Sequence, residues 1–215
     1  MGLHKKPLII MQAILGLKSN MTQVFDENGV VHPATVLKTG PATVVLVKTA
    51  DKHGYNAVQV GFGERKEKNI TQAEKGHYKG LGNFRYLKEF RYEVLPEGIK
   101  EGDKIEVSAF AKGDIVRISS VSKGKGFQGV VKRHGFAGGP RTHGQKHSER
   151  EGGSIGGGLR TRVPKDMRMA GRMGGDRVTL TSVKVLGIDA AKGELYVKGA
   201  VPGRRGTLVE IQGNK

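Results

Sequence analysis

The chain has 215 residues, with 37 Lys and Arg against 20 Asp and Glu and a net charge of +17. A basic surplus of this size points to a polyanion, nucleic acid before an anionic membrane; there is no apolar run of about 18 residues and no long basic amphipathic helix to support the membrane. The absence of cysteine excludes disulfides and thiolate metal sites.

Met1 to Ile10 reads as a short N-terminal extension. Lys5 and Lys6 precede Leu8-Ile9-Ile10-Met11, but Gln12 breaks the run and no small-residue cleavage pattern follows, which argues against a secretory leader. Leu8 to Leu17 is apolar and leads into Met21-Thr22-Gln23-Val24-Phe25. Asp26-Glu27-Asn28-Gly29 predicts a tight hairpin turn. Val30 to Lys38 and Thr43 to Lys48 are β-branched runs on either side of Thr39-Gly40-Pro41. Ala50 to Gly54 predicts a turn, and Tyr55 to Val60 alternates as a strand does. Short strands at this spacing predict a mainly β fold, a small antiparallel barrel or sandwich.

From Gly61 the character changes. Glu64-Arg65-Lys66-Glu67-Lys68 is a charge run. Thr71 with Glu74 three residues later predicts the capped start of a short helix. Glu64 to Arg91 therefore reads as a small insertion between strands. The β pattern returns at Lys104 to Val107 and Asp114 to Ile118. Beyond the basic stretch described next, Val178 to Ile188, Leu195 to Val197 and Leu208 to Ile211 are strands, separated by turns at Ala190 to Gly193 and Val201 to Gly203. The predicted organisation is a β domain over 11–122 and 178–215, with 64–91 inserted, and one long excursion, 123–177, whose ends lie on neighbouring strands. A connection this long inside a compact domain is usually functional.

Lys123 to Arg177 begins Lys-Gly-Lys-Gly-Phe-Gln-Gly and closes near Arg-Met-Ala-Gly-Arg-Met-Gly-Gly. Between Gly124 and Gly175 there are fifteen glycines, eleven Lys or Arg and three acids. Ordering backbone costs roughly 1–2 kcal/mol per residue, whereas burying one Phe or Val returns only about 1.5–3 kcal/mol. The few apolar side chains present cannot offset that cost, so the stretch is expected to be ordered by a partner. Its positive charge makes that partner a polyanion. The candidate RNA contacts are Lys123, Lys125, Lys132, Arg133, Arg141, Lys146, Arg150, Arg160, Arg162, Lys165, Arg168, Arg172 and Arg177. His134, His143 and His147 join them, since imidazole stacks on bases and hydrogen-bonds phosphate. Arg predominates toward the C-terminal side, where bidentate phosphate contact and stacking suit it best.

Other chemistries fit less well. Gly124 to Gly129 has dinucleotide-loop spacing, the basis of an alternative reading as a nucleotide-binding enzyme, but Gly138-Gly139-Pro140 is expected to stop the helix that such a loop opens. His134, His143 and His147 with Glu149 lack ligand spacing and lie among cations, so no metal is expected. Ser148 and Ser154 have no orienting third group, so no active site and no cofactor are expected. A free RNA chaperone with no fixed site is the remaining alternative.

Several motifs together carry a resemblance to a known family. They are Met21-Thr22-Gln23-Val24-Phe25, Gly61-Phe62-Gly63, Ser122 to Arg133, Thr142-His143-Gly144, Gly153-Ser154-Ile155-Gly156, Met169 to Gly174 and Val197 to Gly203. From Ile14 to about Ile211 the chain resembles the bacterial ribosomal protein L-three family of the large subunit. The resemblance implies a translation-protein-type β-barrel and a loop that threads ribosomal RNA toward the peptidyl transferase centre. It implies partners in large-subunit ribosomal RNA and neighbouring ribosomal proteins, a role in starting assembly, a place on the cytoplasmic or an organellar ribosome, and no catalysis, small-molecule substrate or membrane. The family usually has Val-Gly where this chain has Ser19-Asn20. Some relatives carry a methylated glutamine at the loop tip; Gly157-Gly158-Leu159 offers none.

Overall fold

The computed structural model describes residues 12–96, 98–158 and 161–213. The extension expected at 1–10 lies outside them. Ser122–Arg177 forms one compact unit and the remainder of the chain the other.

The larger unit is mainly β. In chain order it holds β1 (Ala13–Phe25), β2 (Val31–Thr39), β3 (Ala42–Lys48), the single helical turn α1 (Ala50–His53), β4 (Ala57–Glu64), α2 (Gln72–Tyr78), β5 (Phe84–Arg91) and β6 (Lys104–Ile105). β7 (Ile115–Val121) precedes the basic unit, which contains β8 (Phe127–Gln128), α3 (Val130–His134) and β9 (Gly171–Arg172). β10 (Arg177–Asp189), β11 (Glu194–Lys198) and β12 (Leu208–Gly213) follow. Six strands hydrogen-bond in the order β1-β12-β7-β10-β11-β2, and β2 returns to β1 to close a barrel. β7 and β10 are neighbours, so the chain leaves and re-enters the barrel on adjacent strands.

A second sheet, ordered β5-β4-β3-β6, is antiparallel throughout. The expected insertion over 64–91 supplies α2 and the edge strand β5 of this sheet. Phe84–Arg91 is a full strand paired from Ala57↔Arg91 to Glu64↔Phe84, and β3 and β4 belong to this sheet rather than to the barrel. Period-two alternation identifies a strand but says nothing about which edge it joins. The turn expected over Ala50 to Gly54 contains α1, closed by Gly54 in the left-handed region.

One apolar core serves both sheets. Ile14, Leu15, Leu37, Ile118, Leu195 and Ile211 are fully buried from the barrel, and Val44, Val58 and Val60 from the second sheet. A smaller cluster of Val45, Ile70, Tyr78 and Phe84 lies under α2. The predicted cap is present: Thr71 N–H donates to Glu74 at 2.9 Å, and Glu74 N–H donates back to Thr71 Oγ1 at 3.3 Å. Gly61 has no side chain because the Phe84 ring occupies that space; a Cβ would sit 2.5 Å from it.

β1 outruns β12. Their pairing ends at Leu17↔Leu208, whereas β1 and β2 pair on to Phe25↔Val31. The two therefore extend past the last β12 contact as a two-stranded ribbon. A bulge between Lys18 and Met21 takes up Ser19-Asn20, whose side chains hydrogen-bond at 3.0 Å. At the tip, the Asp26 carboxylate accepts N–H bonds from Val30 and Asn28, both 2.9 Å, and lies 3.1 Å from His32 Nε2.

The Val30 N–H is the main reason the Asp26 carboxyl titrates below its ordinary 3.8; His32 and Asn28 add to it and desolvation opposes. A depressed folded pKa supports the fold above the unfolded value and loses that support as pH falls through the folded one. An acid titration followed at the Val30 amide should show this loss below 3.8. Asp26→Asn should abolish the transition.

Candidate nucleic-acid interface

Ser122–Arg177 carries thirteen Lys or Arg and four Asp or Glu. Val130 is the only buried residue among those described in it. Its shape therefore rests on backbone hydrogen bonds. Ser122 N–H donates to Asp176 O at 2.8 Å, Lys125 N–H to Met173 O at 2.9 Å, and Met173 N–H to Gly126 O at 2.9 Å. β8 and β9 continue this antiparallel neck, with Phe127 opposite Arg172 and Gln128 opposite Gly171.

α3 follows at once. It starts after Gly129 and ends at Gly135, which is left-handed at φ 74 and donates to Val131 O at 3.0 Å. The helix expected to stop at Gly138-Gly139-Pro140 is a single short turn that has already ended at Gly135. Farther on, Gly139 N–H donates to Glu149 O at 3.0 Å, with Gly138 packed directly on the same carbonyl. The expectation that the stretch is ordered only by a partner is corrected to this extent, because the neck and α3 are built by contacts within the unit.

The predicted contact residues fall into two groups. Arg133 Nη1 donates to Met169 O at 2.7 Å, and His134 Nε2 lies 3.0 Å from the same oxygen. Both side chains thus tie α3 to the irregular segment just before β9. Arg133→Ala should cost about 1 kcal/mol of local stability. It should be read as faster amide exchange at Lys125 and Met173, whose N–H groups donate across the neck, with barrel amides unchanged.

The other group is exposed. Lys123 and Lys125 lie on the outgoing side of the neck and Arg172 on the returning side; Lys132 sits in the last turn of α3. Arg141, His143, Lys146, His147, Arg150, Arg162, Lys165 and Arg168 are exposed in irregular backbone. Arg141 reaches Glu149 only at 4.0 Å. Arg177 opens β10 and is exposed, with contacts of its own. Arg160 lies outside the described residues.

Phe127 was absent from the sequence-based set. It is 75% exposed, across the ladder from Arg172. A lone aromatic between glycines in a cationic run is the signal that could have found it, since bases stack on such rings. Ile155, Val163, Met167 and Met169 are also exposed. Gly124 to Gly129 forms no dinucleotide loop. β8 pairs antiparallel with β9, and α3 has five residues, so no βαβ unit exists here.

A closed antiparallel barrel bearing a cationic unit almost without a core defines a class of basic scaffold protein, built to hold its charges in place. The family model described as Ribosomal protein L3 matches residues 91–194. Large ribosomal subunit protein uL3 of Herpetosiphon aurantiacus is 46% identical over 204 residues, 94% of this chain and 96% of the relative. That of Chloroherpeton thalassium is 45% identical over 208 residues, 95% of this chain and 100% of the relative. That of Bacillus thuringiensis is 43% identical over 204 residues, 94% and 96%. The chain belongs to the ribosomal protein L3 family.

Proposed function

We propose that this chain is a structural constituent of the large subunit of the cytoplasmic ribosome, not an enzyme, and that it binds large-subunit ribosomal RNA through Ser122–Arg177. The observation that carries this reading is the pairing of a cationic surplus with a single buried side chain among the described residues of that unit. Charges gathered at this density without a core repel one another, and phosphates between them relieve the repulsion. Lys123, Lys125, Lys132, Arg141, Lys146, Arg150, Arg160, Arg162, Lys165, Arg168, Arg172 and Arg177 are the proposed phosphate and base contacts, with His143 and His147. Arg133 adds charge while it and His134 hold the unit's shape. The glycines let RNA backbone approach closely.

In this reading the barrel docks on RNA and on neighbouring ribosomal proteins, and the basic unit enters RNA toward the peptidyl transferase centre, fixing helices early in assembly. Sedimentation of a tagged full-length chain tests it. The protein should travel with the large subunit through moderate salt. Spreading among lighter fractions would instead indicate a free RNA chaperone.

A further inference from the structure

The β1–β2 ribbon carries a surface unlike the rest of the chain. Residues directly opposite one another on paired strands point to the same face, and alternate residues along a strand share it. Phe25 is opposite Val31 and Gln23 opposite Pro33, with Met21 two residues before Gln23. All five are exposed, and the large apolar ones strongly so: Met21 is 50% accessible, Phe25 64% and Val31 46%. Inside the barrel the same face of β2 carries Thr35 and Leu37, both fully buried. The ribbon thus continues an interior-type face into solvent.

Charge separates this surface from the RNA-directed one. Ser19 to Leu37 contains no Lys or Arg, the longest such run in the chain. The ribbon's own charged groups are Asp26 and Glu27 at its tip, beside His32 on β2. Lys112 reaches Glu27 at 3.0 Å, but the pair is 62% and 88% exposed and adds little. A phosphate brought here would meet carboxylates and apolar carbon. The outer edge of β1 from Asn20 to Phe25 also has no strand partner among the described residues. An open edge beside an apolar row invites another polypeptide strand.

We infer that this ribbon face is a docking surface for a neighbouring protein of the same particle, a basic polypeptide segment that packs apolar side chains on Phe25 and Val31. The partner is basic because the ribbon's own charged side chains are the carboxylates Asp26 and Glu27, the latter paired only at the exposed surface with Lys112, and a protein because the ribbon itself offers RNA no Lys or Arg. The inference rests on the ribosomal reading above.

The test places a photo-crosslinking benzoylphenylalanine at position 25 of the full-length chain, with irradiation of purified large subunits. The expected result is one protein–protein adduct whose linked peptide is apolar and carries excess Lys and Arg. Labelling of ribosomal RNA, or no adduct at all, overturns the inference. If the unlabelled chain itself fails to enter large subunits, it is the ribosomal reading that falls. As a second measurement, Phe25→Asp with Val31→Asp should leave RNA binding by the free chain unchanged. The variant should lose about tenfold in competition with wild type for places in the subunit, as removal of an interface anchor does. Equal incorporation would also overturn the inference.

Discussion

Gly174→Val should open the neck of the basic unit and leave the barrel folded. Gly174 has φ +76, a conformation that β-branched residues adopt only under strain, costing about 1–3 kcal/mol. A Cβ there would also overlap the Lys123 carbonyl oxygen and come within 3.0 Å of Gly124 Cα. Both are backbone atoms of the paired neck segment, so neither can swing aside as a side chain would. The bonds from Lys125 N–H to Met173 O and from Met173 N–H to Gly126 O are the nearest casualties. Their amides should exchange much faster in the variant, RNA affinity should fall, and barrel amides should keep their protection. Gly124→Ala is the control. A Cβ at Gly124 meets nothing within 4 Å, so the change should stay within about 0.5 kcal/mol. Unaltered protection of Lys125 and Met173 in Gly174→Val would contradict this account of the neck.

Replacing Arg150, Arg162, Lys165 and Arg168 together by Gln should flatten the salt dependence of RNA binding. All four are exposed, so the changes remove charge without removing packing. For every phosphate that one of these cations neutralises, the slope of log affinity against log salt should become shallower by about 0.7–0.9. The circular dichroism spectrum should not change. A quadruple variant with the wild-type slope would mean that RNA binds elsewhere on the chain. Arg133→Gln belongs to a different category, because its guanidinium is engaged with Met169 O. It should lower the slope by less and speed amide exchange in the neck as well.

Features set by neighbours in the chain were legible from residue order. Thr71 and Glu74 cap α2 because they are three residues apart on the same first turn. Asp26 to Gly29 makes its turn through the Asp26 side chain and the left-handed Gly29. α3 is not evident in the residue order because Gly135 ends it after five residues, too few to show a helical period. The β8–β9 ladder was missed because two-residue strands have no period to detect. The second sheet was missed because β3 and β4 have the same strand-like composition as the barrel strands.

By itself the sequence determined the chemistry of the partner. Charge and apolar content add residue by residue, so a cationic run that cannot bury a core is evident without coordinates. Tertiary structure alone decided which strand pairs with which, which side chains are engaged with the unit's own backbone as Arg133 and His134 are, and which apolar residues, such as Phe25 and Phe127, are left in solvent. The reason is that backbone N–H and C=O groups are nearly identical at every residue. Long-range pairing is selected by many weak contacts made together, and no single residue type records the choice.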